Sequence, residues 1–211
     1  MVGFAIAAAG LVIMLKSQLG MGPWGALELG LSKLTGFSVG QCTQIVSLVL
    51  FLLSWALGVK PSIVTVANIF FIGFFMDLFS GFIPSSILPF LCQLFFNIFG
   101  LVVYAFGINF YLIADRGNSG PRESMMLGIF NRFNISIGAS KIIVGLGVLI
   151  IALIIRGPIG IGTFLFALAA GPFIQLFLRI RGYRAVQGRP AFDHDYRNNS
   201  YEEVLRKRRR G

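Results

Sequence analysis

Five polar or charged side chains stand inside or beside long apolar stretches of the chain, where an ionisable group is costly to place. On insertion scales a charge at the centre of the hydrocarbon core costs about 2.5 to 3.5 kcal/mol. Such groups mark candidate positions on the path of a polar solute, and here they are Asp77, Gln175, Arg122, Glu123 and Lys141. A buried Asp77 is typical of a cation or proton site, whereas the guanidinium of Arg122 is suited to holding an anionic group.

Each charged candidate also has a structural interpretation. Asp77 would lie near the outer surface and help to end its span, because Ser80-Gly81 follows within a turn. Lys141 would extend to the lipid head groups or pair with Glu123. Glu123 would complement the dipole at the start of a helix, and a lipid phosphate would satisfy Arg122. Both sets of interpretations stay open at the level of the sequence.

The elements that position these residues are membrane spans. Of the residues 56% are hydrophobic and 12% are charged, whereas roughly 25% are charged in a soluble domain. Most of the apolar stretches approach the ~20 residues that cross a ~30 Å hydrocarbon core. They are Val2–Leu15, Cys42–Val59, Ser62–Phe82, Leu88–Ala114, Ile142–Ile155 (extended by Gly138–Lys141) and Gly157–Leu178. The fold class is therefore expected to be all-α, a polytopic membrane helix bundle with six spans.

The chain also carries one pattern twice. Gly22-Pro23 recurs 98 positions later as Gly120-Pro121, and the same shift places Thr65 on Thr163. Shared Gly, Pro and Thr mark backbone features that hydrophobicity alone would not reproduce. Because three spans per copy is an odd number, the second copy would be inverted relative to the first. The pattern predicts two inverted three-span repeats related by an axis in the membrane plane.

A segment between the first two spans of each repeat is too short to cross the membrane. Pro23–Thr35 and Pro121–Phe133 each follow a glycine, and proline suits the first position of a helix. Thirteen residues at ~1.5 Å each give roughly 20 Å. We predict one short helix per repeat, either amphipathic at the membrane interface or re-entrant. In the first of them Glu28 falls on a different side from the apolar stripe that includes Trp24 and Leu27.

Positive charge is concentrated in the C-terminal tail. Ten of the 18 Lys and Arg residues follow Leu178. Basic residues beside a span stay in the cytoplasm, which predicts a cytoplasmic C-terminus and contacts with anionic lipid head groups. No nucleic-acid partner is expected. The predicted regions are a first membrane repeat at residues 1–87, a second at 88–182, and a basic, partly disordered tail at 183–211.

Residues suited to catalysis or metal binding are scarce. The only histidine, His194, lies in the polar tail, and no Ser-His or Cys-His set is available. Cys42 and Cys92 both lie within apolar stretches and are expected to be small core residues rather than a disulfide or a metal pair. We expect no enzymatic activity, no cofactor and no metal.

Several motifs of the chain are shared with a known group of membrane proteins. They are Gly20, Gly22, Pro23 and Trp24 in the first half, and Gly120-Pro121-Arg122-Glu123, Met126-Leu127-Gly128, Gly160-Ile161-Gly162-Thr163 and Gly171-Pro172 in the second. This ordered set resembles the YczE/YyaS/YitT-like bacterial membrane proteins over residues 3–182. The resemblance implies a multi-pass protein of the bacterial plasma membrane, in a family with no settled biochemical activity.

Two departures from that family concern charged positions. The family often has an acidic residue where this chain has Gly25, and an Arg followed four residues on by Glu where it has Lys141 and Gly145. A function that depends on those acidic groups would be lost or altered here.

Two functions fit these observations. A small transporter or permease for an unidentified solute is favoured, because inverted halves with broken helices around sparse polar groups are typical of transporters. The alternative is a non-transporting membrane scaffold or accessory protein for another membrane or biosynthetic system, since inverted halves also make a compact bundle. Solute flux would favour the first function, and a partner that persists through purification would favour the second.

Overall fold

The computed structural model describes residues 1–59, 62–83, 89–114, 120–133, 135 and 137–180. These residues form eight α-helices and contain no strand. The helices are α1 Val2–Lys16, α2 Pro23–Thr35, α3 Val39–Ala56, α4 Ile63–Phe82, α5 Phe90–Ala114, α6 Pro121–Phe133, α7 Ile137–Ile154 and α8 Ile161–Ile180. Every predicted apolar stretch contains a helix, and both short helices have the predicted bounds. The tail and the repeat boundary at residues 87 and 88 lie outside the described residues.

Local sequence signals explain where the helices start. Gly22 is the N-cap of α2 and Pro23 is its first residue, where a missing N–H leaves no hydrogen bond unmade. Ser38 caps α3 in a capping box with Gln41, in which each side chain binds the backbone of the other residue. Because of this cap, α3 begins at Val39, before the apolar stretch itself.

The later helices repeat the earlier ones at a fixed spacing. α6, α7 and α8 begin and end 98 positions after α2, α3 and α4. Helix packing follows the same spacing: α2 of the first half packs on α7 of the second and α6 on α3, while within each half α1 packs on α4 and α5 on α8. α2 to α4 and α6 to α8 therefore have the same lengths and the same spacing along the chain.

The first helices of the two halves, α1 and α5, form the closest pair in the bundle. Gly10 lies against the backbone of Tyr104, and Gly107 lies against the backbone of Ala7. Higher positions on one helix meet lower positions on the other, so α1 and α5 run antiparallel. A side chain at either glycine would push the helices apart, which explains why small residues stand at this contact.

Apolar side chains cover the outside of the bundle, and polar ones lie within it. Exposed residues include Phe70, Ile142 and Leu168, while Thr43 and Asn97 are buried. A soluble protein has the opposite arrangement. α3, α4 and the Phe90–Phe110 part of α5 are long and apolar enough to cross a membrane, and shorter apolar helices are Val2–Lys16, Ile142–Ile154 and Ile161–Phe177. These features are those of a membrane protein.

The duplication does not extend to every helix contact. In the first half Gly40 and Gly73 pack α3 against α4, each lying against the carbonyl oxygen of the other. The counterpart of Gly73 is Gly171, and no described atom lies within 4 Å of the place where its β-carbon would stand. Among the described residues, α8 therefore has no neighbour at this point as close as the one that α4 has.

The cysteines occupy different surroundings. Cys42 is buried in α3, whereas Cys92 is exposed on α5. The expectation of a core position is correct for Cys42 and wrong for Cys92. Because α5 is apolar on all sides, its sequence does not distinguish the face toward the bundle from the face toward lipid.

Candidate functional site

A small polar cavity lies inside the bundle. Its volume is about 20 Å³, which is room for roughly one water molecule. Five helices line it, with Leu11, Thr43, Ser47, Asn68, Ile72, Tyr104, Pro121, Arg122 and Glu123. Two of the sequence candidates, Arg122 and Glu123, are therefore brought together with hydroxyl and amide groups of α3, α4 and α5.

The cavity lies at the mid-length of long apolar helices. Ser47 stands at the middle of α3, Ile72 at the middle of α4 and Tyr104 close to the middle of α5. The first turn of α6 lines the same cavity, and Pro121 in that turn is fully buried. The N-terminus of α6 thus ends inside the bundle rather than at its edge.

An ion pair joins the two short helices beside this cavity. The guanidinium of Arg122 on α6 donates to the carboxylate of Glu28 on α2. Glu28 is 1% exposed and the Arg122 side chain 18%. Arg122 also lies over the ring of Trp24, 5.4 Å from its centroid, where a cation is attracted to the π face. Trp24 is the repeat counterpart of Arg122, so the copies meet at equivalent positions.

Glu28 is the site residue that the sequence pattern did not identify. The buried residues of α2 are Gly25, Ala26, Glu28 and Gly30, whereas Leu34 is exposed. The inward face is set by small residues, which allow α2 to approach α7 closely: Gly30 lies against the loop that follows α7. The run of small residues on either side of Glu28 is the signal that would have indicated its burial.

Among the residues that the structure describes, Glu123 has no basic partner, and Ser47 and Asn68 have no side-chain hydrogen-bond partner. The carboxylate of Glu123 folds back onto Gly120 at the start of α6, on the side where the amide nitrogen of Asn68 lies. Ser47 is 3% exposed and Asn68 is 8% exposed. Neither of these two side chains has a hydrogen-bond partner among the described residues. Buried polar groups are nearly always paired, so these two indicate a place for a ligand or water.

The cavity occupies a place where the two copies differ in sequence. The counterparts of Thr43, Asn68, Arg122 and Glu123 are Lys141, Phe166, Trp24 and Gly25. At the equivalent place in the other copy, the ring of Phe166 lies against Gly22 and packs on Tyr104 with ring centroids 5.3 Å apart. One copy therefore provides polar groups, and the other fills the corresponding space with aromatic side chains.

Asp77 lies apart from the cavity and has partners of its own. Its carboxylate accepts hydrogen bonds from the Ser38 hydroxyl and, at 2.9 Å, from the backbone N–H of Gly40. Both donors belong to the first turn of α3, whose N–H groups lack partners within the helix. Asp77 on α4 thus caps α3 and complements its dipole. This contact accounts for the carboxylate without a substrate.

Gln175 is not among the described residues that line the cavity. Gln175 is exposed on α8, and Gly171 and Pro172 lie within the same helix. Lys141 lies in α7, but its side chain is outside the described part of the chain, so its pairing with Glu123 stays a prediction.

The glycine motifs hold the loop before α2 against the start of α8. Gly20 has a positive φ of 101°, and its carbonyl accepts from the buried amide of Asn97 at 3.0 Å. The N–H of Gly162 donates to the carbonyl of Leu19 at 2.8 Å. The Gly160–Thr163 motif therefore serves close packing here. No group of three or more His, Cys, Asp or Glu side chains within the described residues is placed to hold a metal.

Residues 1–179 match the model of DUF6198, a family of unknown function. The chain is 30% identical over 173 residues to an uncharacterised protein of Haemophilus influenzae, covering 81% of this chain and 77% of that one. It is 30% identical over 182 residues to the uncharacterised protein YyaS of Bacillus subtilis, covering 85% and 90%. It is 29% identical over 178 residues to the uncharacterised membrane protein YczE of the same organism, covering 83% and 82%. No solved structure matches the chain. The resemblance to YczE and YyaS is thus confirmed, and the chain belongs to the DUF6198 family.

Proposed function

We propose that the chain is a small transporter or permease of the bacterial plasma membrane that carries a small polar solute. The observation that carries this proposal is the polar cavity at the mid-length of apolar helices, with a charged helix start ending in it. Discontinuous helices that end near the bilayer midplane are typical of solute-binding sites in secondary transporters. The proposal includes six spans in two inverted repeats, with α2 and α6 re-entrant and the C-terminus cytoplasmic.

The duplicated helix layout supports the inverted arrangement. Equal spacing of α2 to α4 and α6 to α8 is expected of two copies of one unit. The antiparallel pairing of α1 with α5 is the relation that inversion requires of equivalent helices. Exchange of packing partners between the halves is what a two-fold axis produces. The basic tail supports the cytoplasmic placement of the C-terminus.

The depth of the α6 start supports the re-entrant interpretation. A helix at the membrane interface would not bring Pro121 to the same level as Ser47 in the middle of α3. Backbone that dips into the membrane is tolerated where protein or a polar cavity surrounds it. The Gly120 to Glu123 segment meets that condition.

In the proposed transporter, the ion pair between Glu28 and Arg122 would hold the protein in a closed state. It joins one short helix of each copy, and the cavity beside it holds about 20 Å³, too little for an organic solute. Entry of a solute would require α2 and α6 to separate, with Arg122 exchanging Glu28 for an anionic or polar group of the solute.

Solute flux in proteoliposomes tests the proposal. The full chain would be reconstituted, and re-swelling by light scattering would be measured with glycerol, glycine, acetate and methylammonium. We expect at least one solute to enter faster than in empty liposomes, and Arg122→Gln to remove that excess. The matched control is Arg132→Gln, an exposed arginine in the last turn of the same helix, which should keep it.

Two outcomes would contradict transport. One is flux no greater than in empty liposomes for all four solutes, and the other is an excess flux that Arg122→Gln leaves unchanged. In either case, a partner that stays bound through purification would favour the scaffold or accessory role.

A further inference from the structure

We propose that the cavity binds one small monovalent cation, with Na⁺ as the probe, through the carboxylate of Glu123 and the side-chain oxygens of Ser47 and Asn68. A role of this cation as the coupling ion rests on the proposed transport function. Binding of the cation does not rest on that function and can be measured without transport.

The charge balance of the cavity favours a cation. Arg122 already pairs with the buried carboxylate of Glu28. Glu123 forms no ion pair with any basic side chain that the structure describes. Among the side chains that the structure describes, one negative charge is therefore left in the cavity wall, and a charge inside a bundle of apolar helices is costly without a counter-ion.

The ligand atoms and the volume of the cavity favour a small, hard cation. Ser47 and Asn68 are buried, line the cavity and have no described partner, so the Ser47 hydroxyl is free to bind an ion. The amide nitrogen of Asn68 lies on the side of Glu123, and rotation of this unpaired amide about its terminal torsion would present its oxygen instead. Carboxylate, hydroxyl and amide oxygens are ligands of hard cations. A volume of about 20 Å³ excludes an organic amine, and a single carboxylate charge matches a monovalent ion better than a divalent one.

The residues of the second copy predict how many ions bind to each chain. At the places equivalent to Glu123, Asn68 and Ser47 it has Gly25, Phe166 and Gly145. None of these side chains offers an oxygen ligand, and the ring of Phe166 fills the space. One ion per chain is expected.

Thermal unfolding of the purified full chain in detergent tests the inference. Unfolding would be followed in choline chloride with increasing NaCl, LiCl or KCl at constant ionic strength. A ligand that binds only the folded state raises Tm saturably, and we expect a rise of about 2 to 4 °C with Na⁺. Direct binding of ²²Na⁺ to the wild-type chain, with one site per chain at saturation, gives a second measurement that needs no variant.

Three substitutions test whether the Na⁺-dependent rise in Tm comes from the cavity or from another part of the protein. Glu123→Gln should abolish the Na⁺-dependent rise in Tm, and Ser47→Ala should shift it to higher Na⁺ concentration. Asp77→Asn is the matched control, because Asp77 is an acidic residue outside the cavity; it should keep the rise even if its Tm without Na⁺ is lower. If Glu123→Gln does not fold, Ser47→Ala and ²²Na⁺ binding carry the test.

Several results would overturn the inference. One is a rise of Tm that is as large with added choline chloride as with added NaCl. A rise of Tm with chloride concentration at constant Na⁺ concentration would have the same meaning. Another is a rise that follows pH and not Na⁺, which would make Glu123 a proton site. A third is Na⁺ binding only after Lys141→Gln, which would mean that the chain's own lysine fills the cavity. Na⁺ binding without solute flux would leave the ion site standing and contradict the transport function. Solute flux that does not depend on Na⁺ would leave the transport function standing and contradict the coupling role of the ion.

Discussion

At the scale of single residues, the buried pair between Glu28 and Arg122 is the most consequential contact of the site. Both charges are taken out of water, and their attraction offsets a desolvation cost of several kcal/mol per ion. A pair of this kind is poor evidence for added stability, because two well-packed neutral residues can be as stable. Its loss from one side alone, however, leaves a buried charge without a counter-charge.

The first prediction concerns this pair. Glu28→Gln should lower the free energy of unfolding by about 3 to 5 kcal/mol, because it leaves the Arg122 guanidinium uncompensated. The double variant Glu28→Gln with Arg122→Gln should lie much closer to the wild type. Denaturant unfolding in detergent micelles measures both, with Arg132→Gln as the exposed control. A loss in the double variant equal to the sum of the losses in the Glu28→Gln and Arg122→Gln single variants would show that the two charges do not interact.

Only part of the site could be predicted at this scale. Arg122 and Glu123 are visible in the sequence because charges beside a Gly-Pro helix start have few structural reasons to be there. Glu28 is not, because its burial depends on the packing of α7 over the small residues of α2 and on the Arg122 side chain that reaches it from α6. Asn68 is likewise one of several Asn and Gln residues within the apolar stretches of the sequence. Only the packed bundle shows that Asn97 has partners while Asn68 faces the cavity.

At the scale of helices, the antiparallel contact of α1 with α5 depends on residues without side chains. Gly107 lies against the backbone of Ala7, where a β-carbon has no room. Gly147 on α7 has no described atom within 4 Å of its β-carbon position. Two glycines in helices thus differ in the space around them.

The second prediction uses this difference. Gly107→Ala should lower Tm in detergent, because overpacking a helix contact costs about 1 to 3 kcal/mol. Gly147→Ala should leave Tm unchanged or raise it, since Ala is favoured over Gly within a helix by about 1 kcal/mol. Similar Tm changes in the two variants would be incompatible with the close α1 to α5 contact.

Helix boundaries were predictable where a local signal exists. Gly-Pro marks the starts of α2 and α6, and Ser38 with Gln41 marks the start of α3. Which face of each helix points into the bundle was harder to predict from the sequence. Cys92 and Leu34 are apolar yet exposed, because in a membrane protein hydrophobicity does not distinguish the side toward lipid from the side toward the core.

At the scale of the whole molecule, inversion of the second copy makes a prediction about sidedness. Phe37 and Ile135 are equivalent positions, 98 residues apart, in the loops that follow α2 and α6. Single cysteines there, with Cys42 and Cys92 replaced, should react with a membrane-impermeant maleimide from opposite sides. Phe37→Cys should label from outside intact cells and Ile135→Cys only after permeabilisation, as should Ser200→Cys in the tail. Labelling of both loop positions from one side would rule out inversion.

The sequence by itself determined that the chain is a membrane protein, where its helices start and that its pattern occurs twice, because these features depend on local composition and on residues with special backbone geometry. Tertiary structure alone decided that Glu28 is the partner of Arg122, that Asp77 caps α3, and that Thr43, Ser47 and Asn68 share one cavity with the start of α6. The physical reason is that these contacts join positions far apart in the chain. They form only when helices cross, and no local pattern records which faces then meet.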